Sequence, residues 1–371
     1  MVCEYNPFHN GHAYHLNETR ARTGAEFVVC VMSGAFTQRG IPAVLNAPSR
    51  ARMALMSGAD VVFELPTLFT VRGAQAFASG GVSLLNSLNV CDYLAFGCED
   101  INALEAACHS DESDPDTSRR IREGLNRGES FARARGLPNQ PNLILGVEYR
   151  RALSNLASHM TPTPIPRAPY TAGPPAITSA SELRGLLPHI AALRPFMPDS
   201  AYQILRDEPN ALRYTANLDA FLLGKLRTSG LETLRQTADI VEGLEYRAIR
   251  ASLDATSRED CVMRMKCKRY TYTRLSRIII QSALGITKAL AYAFPNPEYA
   301  RLLGFRESAR PLMRLIRERS AIPIVHKAAQ LRDNPIFQLD LRSESVAALA
   351  SASSEYRAGD GALTPNVVII Q

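Results

Sequence analysis

The apolar positions between residues 27 and 97 fall into short runs separated by longer amphipathic stretches. Residues 27–32 are apolar throughout and bounded by Gly24 and by Ser33-Gly34, which predicts a buried strand. A helix is expected from about 49 to 57, with Pro48 in its first turn and Gly58 as its stop signal. Residues 59–65 predict a second strand, closed by Pro66. A helix over about 72–88 then leads to a strand at 93–97. Strands alternating with helices predict an α/β fold, a doubly wound parallel sheet with helices on both faces.

Only residues 1–5 remain for a strand before the loop at 6–10, against a typical ~5–6 residues. The expectation is a chain that starts several residues late. Residues 102–158 carry three helical patterns, with loops at 109–117 and 136–141. Six prolines follow within 161–176, which reads as a linker or as a strand and then a loop. From about 181 onward the signals are mostly helical, and no internal repeat is evident. The expected division is a nucleotide-binding domain at 1–195 and a helical domain at 196–371.

Charge sharpens that division. Residues 1–195 hold 17 Arg, no Lys and 17 Asp+Glu, whereas residues 196–371 hold 25 Lys+Arg and 19 Asp+Glu. The whole excess of +6 therefore lies in the second half, as suits a surface that meets a polyanion. No run of 18 apolar residues exists, and the start has neither a basic nor an apolar signal region. Seven cysteines without CxxC spacing read as reduced thiols of a cytoplasmic protein. P-loop and zinc-peptidase motifs are missing.

Two motifs carry chemistry. His9-Asn10-Gly11-His12 opens a helix (about 12–22) just after the expected first strand. Glycine lets backbone approach a phosphate, the helix N-terminus offers free N–H groups, and two imidazoles can donate to phosphate oxygens. Two histidines at an ordinary helix start are the competing reading. Ser179-Ala180-Ser181-Glu182-Leu183-Arg184 fits a capping box, the better reading on its own; a hydroxyl-rich helix start with an Arg one turn on is also a triphosphate clamp. The pair, in this order, is the signature of HIGH-motif nucleotidylyltransferases.

The resemblance then becomes specific. Residues 4–15 (EYNPFHNGHAYH), 31–43 (VMSGAFTQRGIPA), 58–66 (GADVVFELP), 96–99 (FGCE) and 142–149 (NLILGVEY) resemble the tRNA(Met) cytidine acetate ligase family. So do residues 242–247 (EGLEYR) and 268–275 (KRYTYTRL), and the likeness is traceable to about residue 342. It implies activation of acetate by ATP as acetyl-adenylate, without acetyl-CoA. The acetyl group then passes to the exocyclic amine of the wobble cytidine of elongator tRNA(Met). By motif position it implies an ATP site at Val2, Cys3, Glu4, Tyr5, Asn6, Pro7, Phe8, His9, Asn10, Gly11, His12 and His15. Gly97, Asn142, Arg167, Ser179 and Ser181 complete it, and His9, His12 and Arg184 would carry the catalysis. Mg²⁺ is expected on the phosphates, with no ligand identified. Asn142 can read a purine edge, though without the resemblance a cap on the helix it starts is the better reading. Gln38 and Arg39 are expected to face the cleft, with no role assigned. Family members usually carry a Lys where Ala47 stands here, with Arg50 or Arg52 as possible substitutes.

In the second half, Lys266, Lys268, Arg269, Arg274 and Arg277 cluster with Tyr270 and Tyr272. Basic residues interleaved with aromatics suit RNA, although Tyr272, Leu275 and Ile279 also share a helix face. Arg306, Arg310, Arg314, Arg317 and Arg319 form a second cluster. A small-molecule adenylyltransferase and a catalytically lapsed tRNA-binding protein are the alternative functions. No protein partner and no membrane association are expected.

Overall fold

The computed structural model describes residues 1–109, 115–126, 134–138, 140–171, 173, 175–241, 243–359 and 367–371. The loop expected at 109–117 falls largely outside this set, as do Pro174 and Glu242.

Three strands run parallel as the sequence predicts: β1 (Val2–Cys3), β2 (Val29–Ser33) and β3 (Val61–Leu65). β1 is short but paired, with Val2 opposite Val31 and Cys3 opposite Met32. It lies close under the helix Ala74–Ser87, because a Cβ at Gly81 would fall 2.6 Å from the Val2 side chain. The strand expected at 93–97 is β4 (Tyr93–Cys98). Its partner is β5 (Thr161–Pro166), so the proline-rich stretch begins as a strand. Thr161 and Arg167 donate their N–H groups to the carbonyls of Asp92, just before β4, and Cys98, at its end. The prolines at 162, 164 and 166 occupy the alternate positions, whose nitrogens face away, as an edge strand requires.

The second half is less purely helical than expected. β6 (Ala300–Arg306) pairs antiparallel with β3, and β7 (Ile324–Val325) and β8 (Val368–Ile370) pair parallel with β6. The larger sheet is therefore mixed, in the order β1-β2-β3-β6-β7 with β8 beside β6. It draws strands from both sides of the expected boundary at 195/196. Otherwise residues 196–299 form helices, among them Asp219–Thr228, Leu244–Asp254, Arg258–Met265 and Tyr272–Leu284. No helix among the described residues is long and apolar enough to cross a membrane. All seven cysteines are free thiols.

Candidate active site

The helix Asn10–Thr23 begins at His9, whose backbone is extended (φ −147°, ψ 173°). His9 Nδ1 accepts the Gly11 N–H at 3.0 Å, and His12 Nδ1 accepts the His9 N–H at 3.2 Å. This is a capping box in which two imidazoles replace the usual hydroxyl and carboxylate. A ring nitrogen that accepts an N–H carries no proton, so both neutral rings hold theirs on Nε2. The rings lie 3.8 Å apart between centroids, 31° from parallel. A Cβ at Gly11 would sit 2.8 Å from the His9 ring, so glycine is what lets the ring fold back over the helix start. Tyr5 and Phe8 are buried beneath, 5.0 and 5.5 Å from the His12 ring.

Burial sets the charge of this group. It lowers the His9 pKa to about 4, helped by Arg167 and Arg184. It holds His12 well below its ordinary value, helped by His9, His15 and Arg167. His15 is lowered to about 4 by burial and by the N-terminal ammonium. All three are neutral donors at pH 7, and an anion placed against them would raise their pKa values.

Opposite, the short helix Ala180–Gly185 does carry the capping box. Glu182 N–H donates to Ser179 Oγ at 3.2 Å, and Ser179 N–H donates to Glu182 Oε2 at 3.1 Å. Arg184 then bridges back to the first loop, donating to the Asn6 carbonyl at 2.9 Å and to Ser181 Oγ at 2.8 Å. Burial lowers the pKa of Arg184, and Arg39 adds to this. Between these walls lies a cleft of about 560 Å³, within the ~300–1,000 Å³ of small-molecule sites.

Val2, Cys3, Glu4, Tyr5, Asn6, His9, Gly11, His12, His15, Gln38, Arg39, Gly97, Asn142, Arg167, Ser179, Ser181 and Arg184 all line this cleft. Three expected residues do not. Pro7 follows a cis peptide bond, Phe8 is wholly buried under the histidines, and Asn10 donates to the carbonyls of Ala176 and Pro195. They shape the loop rather than face the cavity. Two buried polar atoms of the cleft, Asn6 Nδ2 and His15 Nε2, have no hydrogen-bond partner among the described residues. A Cβ at Gly97 would meet only Arg167, at 3.8 Å, so the space over Gly97 is open to a ligand. These features fit a nucleotide.

Glu99 organises the third wall. Its carboxylate accepts the N–H groups of Asn142 and Leu143 at 3.2 and 2.9 Å and the Asn142 side-chain amide at 2.9 Å, and pairs with Arg167 at 3.5 Å. The capping that sequence reasoning gave to Asn142 therefore comes from Glu99. Phe96-Gly97-Cys98-Glu99 stood out in the sequence, but no local signal showed that Glu99 caps a helix starting 42 positions on, at Pro141. Tyr14, Phe77, Leu145, Tyr149 and Tyr170 also line the cleft without having been anticipated.

Other expectations change. Arg50 is fully buried and donates to the carbonyls of Glu4, Ser33, Gly34 and Leu45, so it ties two loops together and does not reach a phosphate. Ala47 is buried in the core, and Arg52 is exposed outside the cleft lining, so neither position supplies a cation there. Arg277 is buried and donates to the Gln38 carbonyl at 3.2 Å; it is not a surface cation. Lys266, Lys268 and Arg269 are exposed, and Arg274 stacks 5.2 Å over Tyr270. No group of three His, Cys, Asp or Glu side chains among the described residues gathers to hold a metal ion.

Residues 1–360 match the family described as HIGH Nucleotidyl Transferase. A tRNA(Met) cytidine acetate ligase of Caldanaerobacter subterraneus subsp. tengcongensis is 35% identical, covering 94% of each chain. The chain belongs to the tRNA(Met) cytidine acetate ligase family of HIGH nucleotidyl transferases. A ligase of the same name from Geobacillus sp. (strain WCH70) is 34% identical, over 92% of each chain. Two solved structures of Thermotoga maritima TmcAL match along 100% of this chain and 98% of theirs. One, bound with alpha-thio ATP, has TM-score 0.91 and 30% identity; the apo form has 0.92 and 29%. The fold of this chain is thus similar to that of Thermotoga maritima TmcAL along its whole length.

Proposed function

We propose that the chain activates acetate with ATP and transfers the acetyl group to the wobble cytidine of elongator tRNA(Met). The observation that carries this is the pair of imidazoles of His9 and His12, both with Nδ1 engaged at a capped helix start and Nε2 left to donate, lining one cleft with Arg167 and Arg184. An acetate oxygen attacks the α-phosphorus in line, and the enzyme's task is positioning and charge stabilisation. His9 and His12 donate to the phosphate oxygens as charge builds. Arg184 and Ser181 hold the departing pyrophosphate. Mg²⁺ is expected on the nucleotide, where phosphate oxygens and water suit it as ligands.

Residues 1–195 supply the nucleotide cleft. The exposed cations Lys266, Lys268 and Arg269 of the later residues meet the RNA, whose location is the cytoplasm. Incubation with ATP and labelled acetate, with and without bulk tRNA, tests this reading. Acetate-dependent pyrophosphate release and label in tRNA are expected. Release only with a phosphorylated cofactor precursor would instead mark a small-molecule adenylyltransferase. Binding of tRNA without turnover would mark a lapsed enzyme.

A further inference from the structure

Among the described residues that line the cleft, Glu4, just after β1, is the one with a carboxyl side chain. Its Oε1 accepts the Gln38 N–H at 2.6 Å, while Oε2 makes no hydrogen bond within the described chain. Burial raises its pKa, opposed by the Gln38 N–H and by the charges of Arg39, Arg184 and Arg50 around it. Such a carboxyl is a stronger base than one in water.

Arg39 lies beside it. Its side chain is exposed, lines the cleft, and makes no hydrogen bond or ion pair within the described chain. Its backbone is held firmly all the same. Ser276 Oγ hydrogen-bonds the carbonyls of Arg39 and Gly40 at 2.6 and 3.0 Å, and Arg258 donates to the Gly40 carbonyl at 3.3 Å. Arg277 holds the Gln38 carbonyl. Gly40 has φ 69°, and a Cβ there would fall 2.7 Å from the Arg277 nitrogen, so only glycine allows this close seat. A fixed backbone beneath an unengaged guanidinium suits a group that meets a ligand. The residues that fix it flank the basic segment at 266–274.

We propose that Glu4 and Arg39 together form the subsite for the cytosine that receives the acetyl group. The proposal rests on the acetyl-transfer reading above. The Watson–Crick edge of cytosine offers a donor, the N4 amine, next to two acceptors, N3 and O2. A carboxylate beside a guanidinium is its complement: Glu4 Oε2 accepts from N4, and Arg39 donates to N3 and O2. Uracil would set its O4 acceptor against Glu4 and its N3–H donor against Arg39. In the transfer step the N4 lone pair attacks the carbonyl carbon of acetyl-adenylate. The C–N bond forms and the C–O bond to the phosphate breaks. AMP leaves with that electron pair, and one N4 proton passes to Glu4 Oε2.

The test uses the full chain and two rates measured on each preparation. One is acetate-dependent ATP–pyrophosphate exchange without RNA. The other is acetyl transfer to an anticodon stem-loop carrying C or U at the receiving position. Glu4→Gln should lower the ratio of transfer to exchange by roughly 10²–10⁴-fold, the range for a lost general base. It should also remove the acid limb of the transfer pH profile. Arg39→Ala should raise the KM for the C stem-loop far more than the KM for ATP; because its side chain is exposed, this variant carries the test even where Glu4→Gln fails to fold. Exchange and transfer falling in parallel, or transfer left unchanged, would overturn the subsite. Absence of exchange in the unaltered protein would overturn the acetyl-transfer reading itself, and the subsite with it.

Discussion

The backbone N–H of His9 donates to Nδ1 of His12 across one turn of helix, at 3.2 Å. That single bond fixes the tautomer of His12 and points its Nε2–H away from the helix start. His9 is fixed in the same sense by the Gly11 N–H. Two side chains that complete the helix thereby become two oriented donors, which is the preorganisation that charge stabilisation requires.

Removing one donor should slow adenylation. His12→Ala is expected to cost ~2.7–4 kcal/mol in the barrier of acetate-dependent pyrophosphate exchange. Affinity for tRNA, measured by filter binding, should stay nearly constant. A large loss of tRNA affinity would contradict the division of labour between cleft and basic surface.

Gly11→Ala probes the same geometry from the backbone. The added Cβ would lie 2.8 Å from the His9 ring and displace it. Nucleotide affinity by calorimetry should fall, because Nε2 of His9 loses its aim. Unchanged affinity would mean that the ring position is immaterial to binding.

The histidines also predict a pH dependence. His9 and His15 titrate near 4 in the folded chain and near an ordinary 6.5 when unfolded. Between those values the unfolded chain binds more protons, so stability falls as pH drops from about 6.5 to 4. Denaturant midpoints across this range should show the fall, and His9→Gln should flatten it. Phosphates against the imidazoles raise their pKa values, so ATP binding near pH 6 should take up protons. Calorimetry in buffers of different ionisation enthalpy reads this directly; proton release would contradict it.

Arg277 and Lys268 should behave differently although they belong to one charge run. Arg277 is buried against the Gln38 carbonyl, so Arg277→Ala should destabilise the fold by about 1–3 kcal/mol. Lys268 is exposed, so Lys268→Ala should leave the melting temperature unchanged and reduce the salt slope of tRNA binding by about 1. Equal effects on stability would contradict the inward placement of Arg277.

Much of the fold is legible in the sequence, for local reasons. Residues 29–33 and 61–65 are short, mostly apolar runs, closed by Gly34 and Pro66, and both faces of their sheet are covered. β6 is harder to read. Residues 300–306 form a strand because β3, far upstream, offers them an edge, with Leu302 opposite Phe63. One wall of the cleft follows from one motif, since residues 2–15 are contiguous and capped. What stayed hidden depends on contacts between distant segments. Glu99 caps the helix Pro141–Asn155, Arg50 gathers carbonyls from two loops, and Ser276 holds the backbone of Arg39. Charge pattern alone does not distinguish Arg277 from Lys268, because the face that a helix buries is decided by its neighbours.

Joining free acetate to a cytidine of tRNA through ATP leaves a chemical mark on the RNA. Mass spectrometry of nucleosides from elongator tRNA(Met) incubated with the protein, ATP and isotopically labelled acetate reads that mark. The expected product is N4-acetylcytidine that carries the acetate label, forms only when ATP is present, and is lost in His12→Ala. Unlabelled acetylcytidine that appears only on addition of acetyl-CoA, or no acetylcytidine at all, would contradict it.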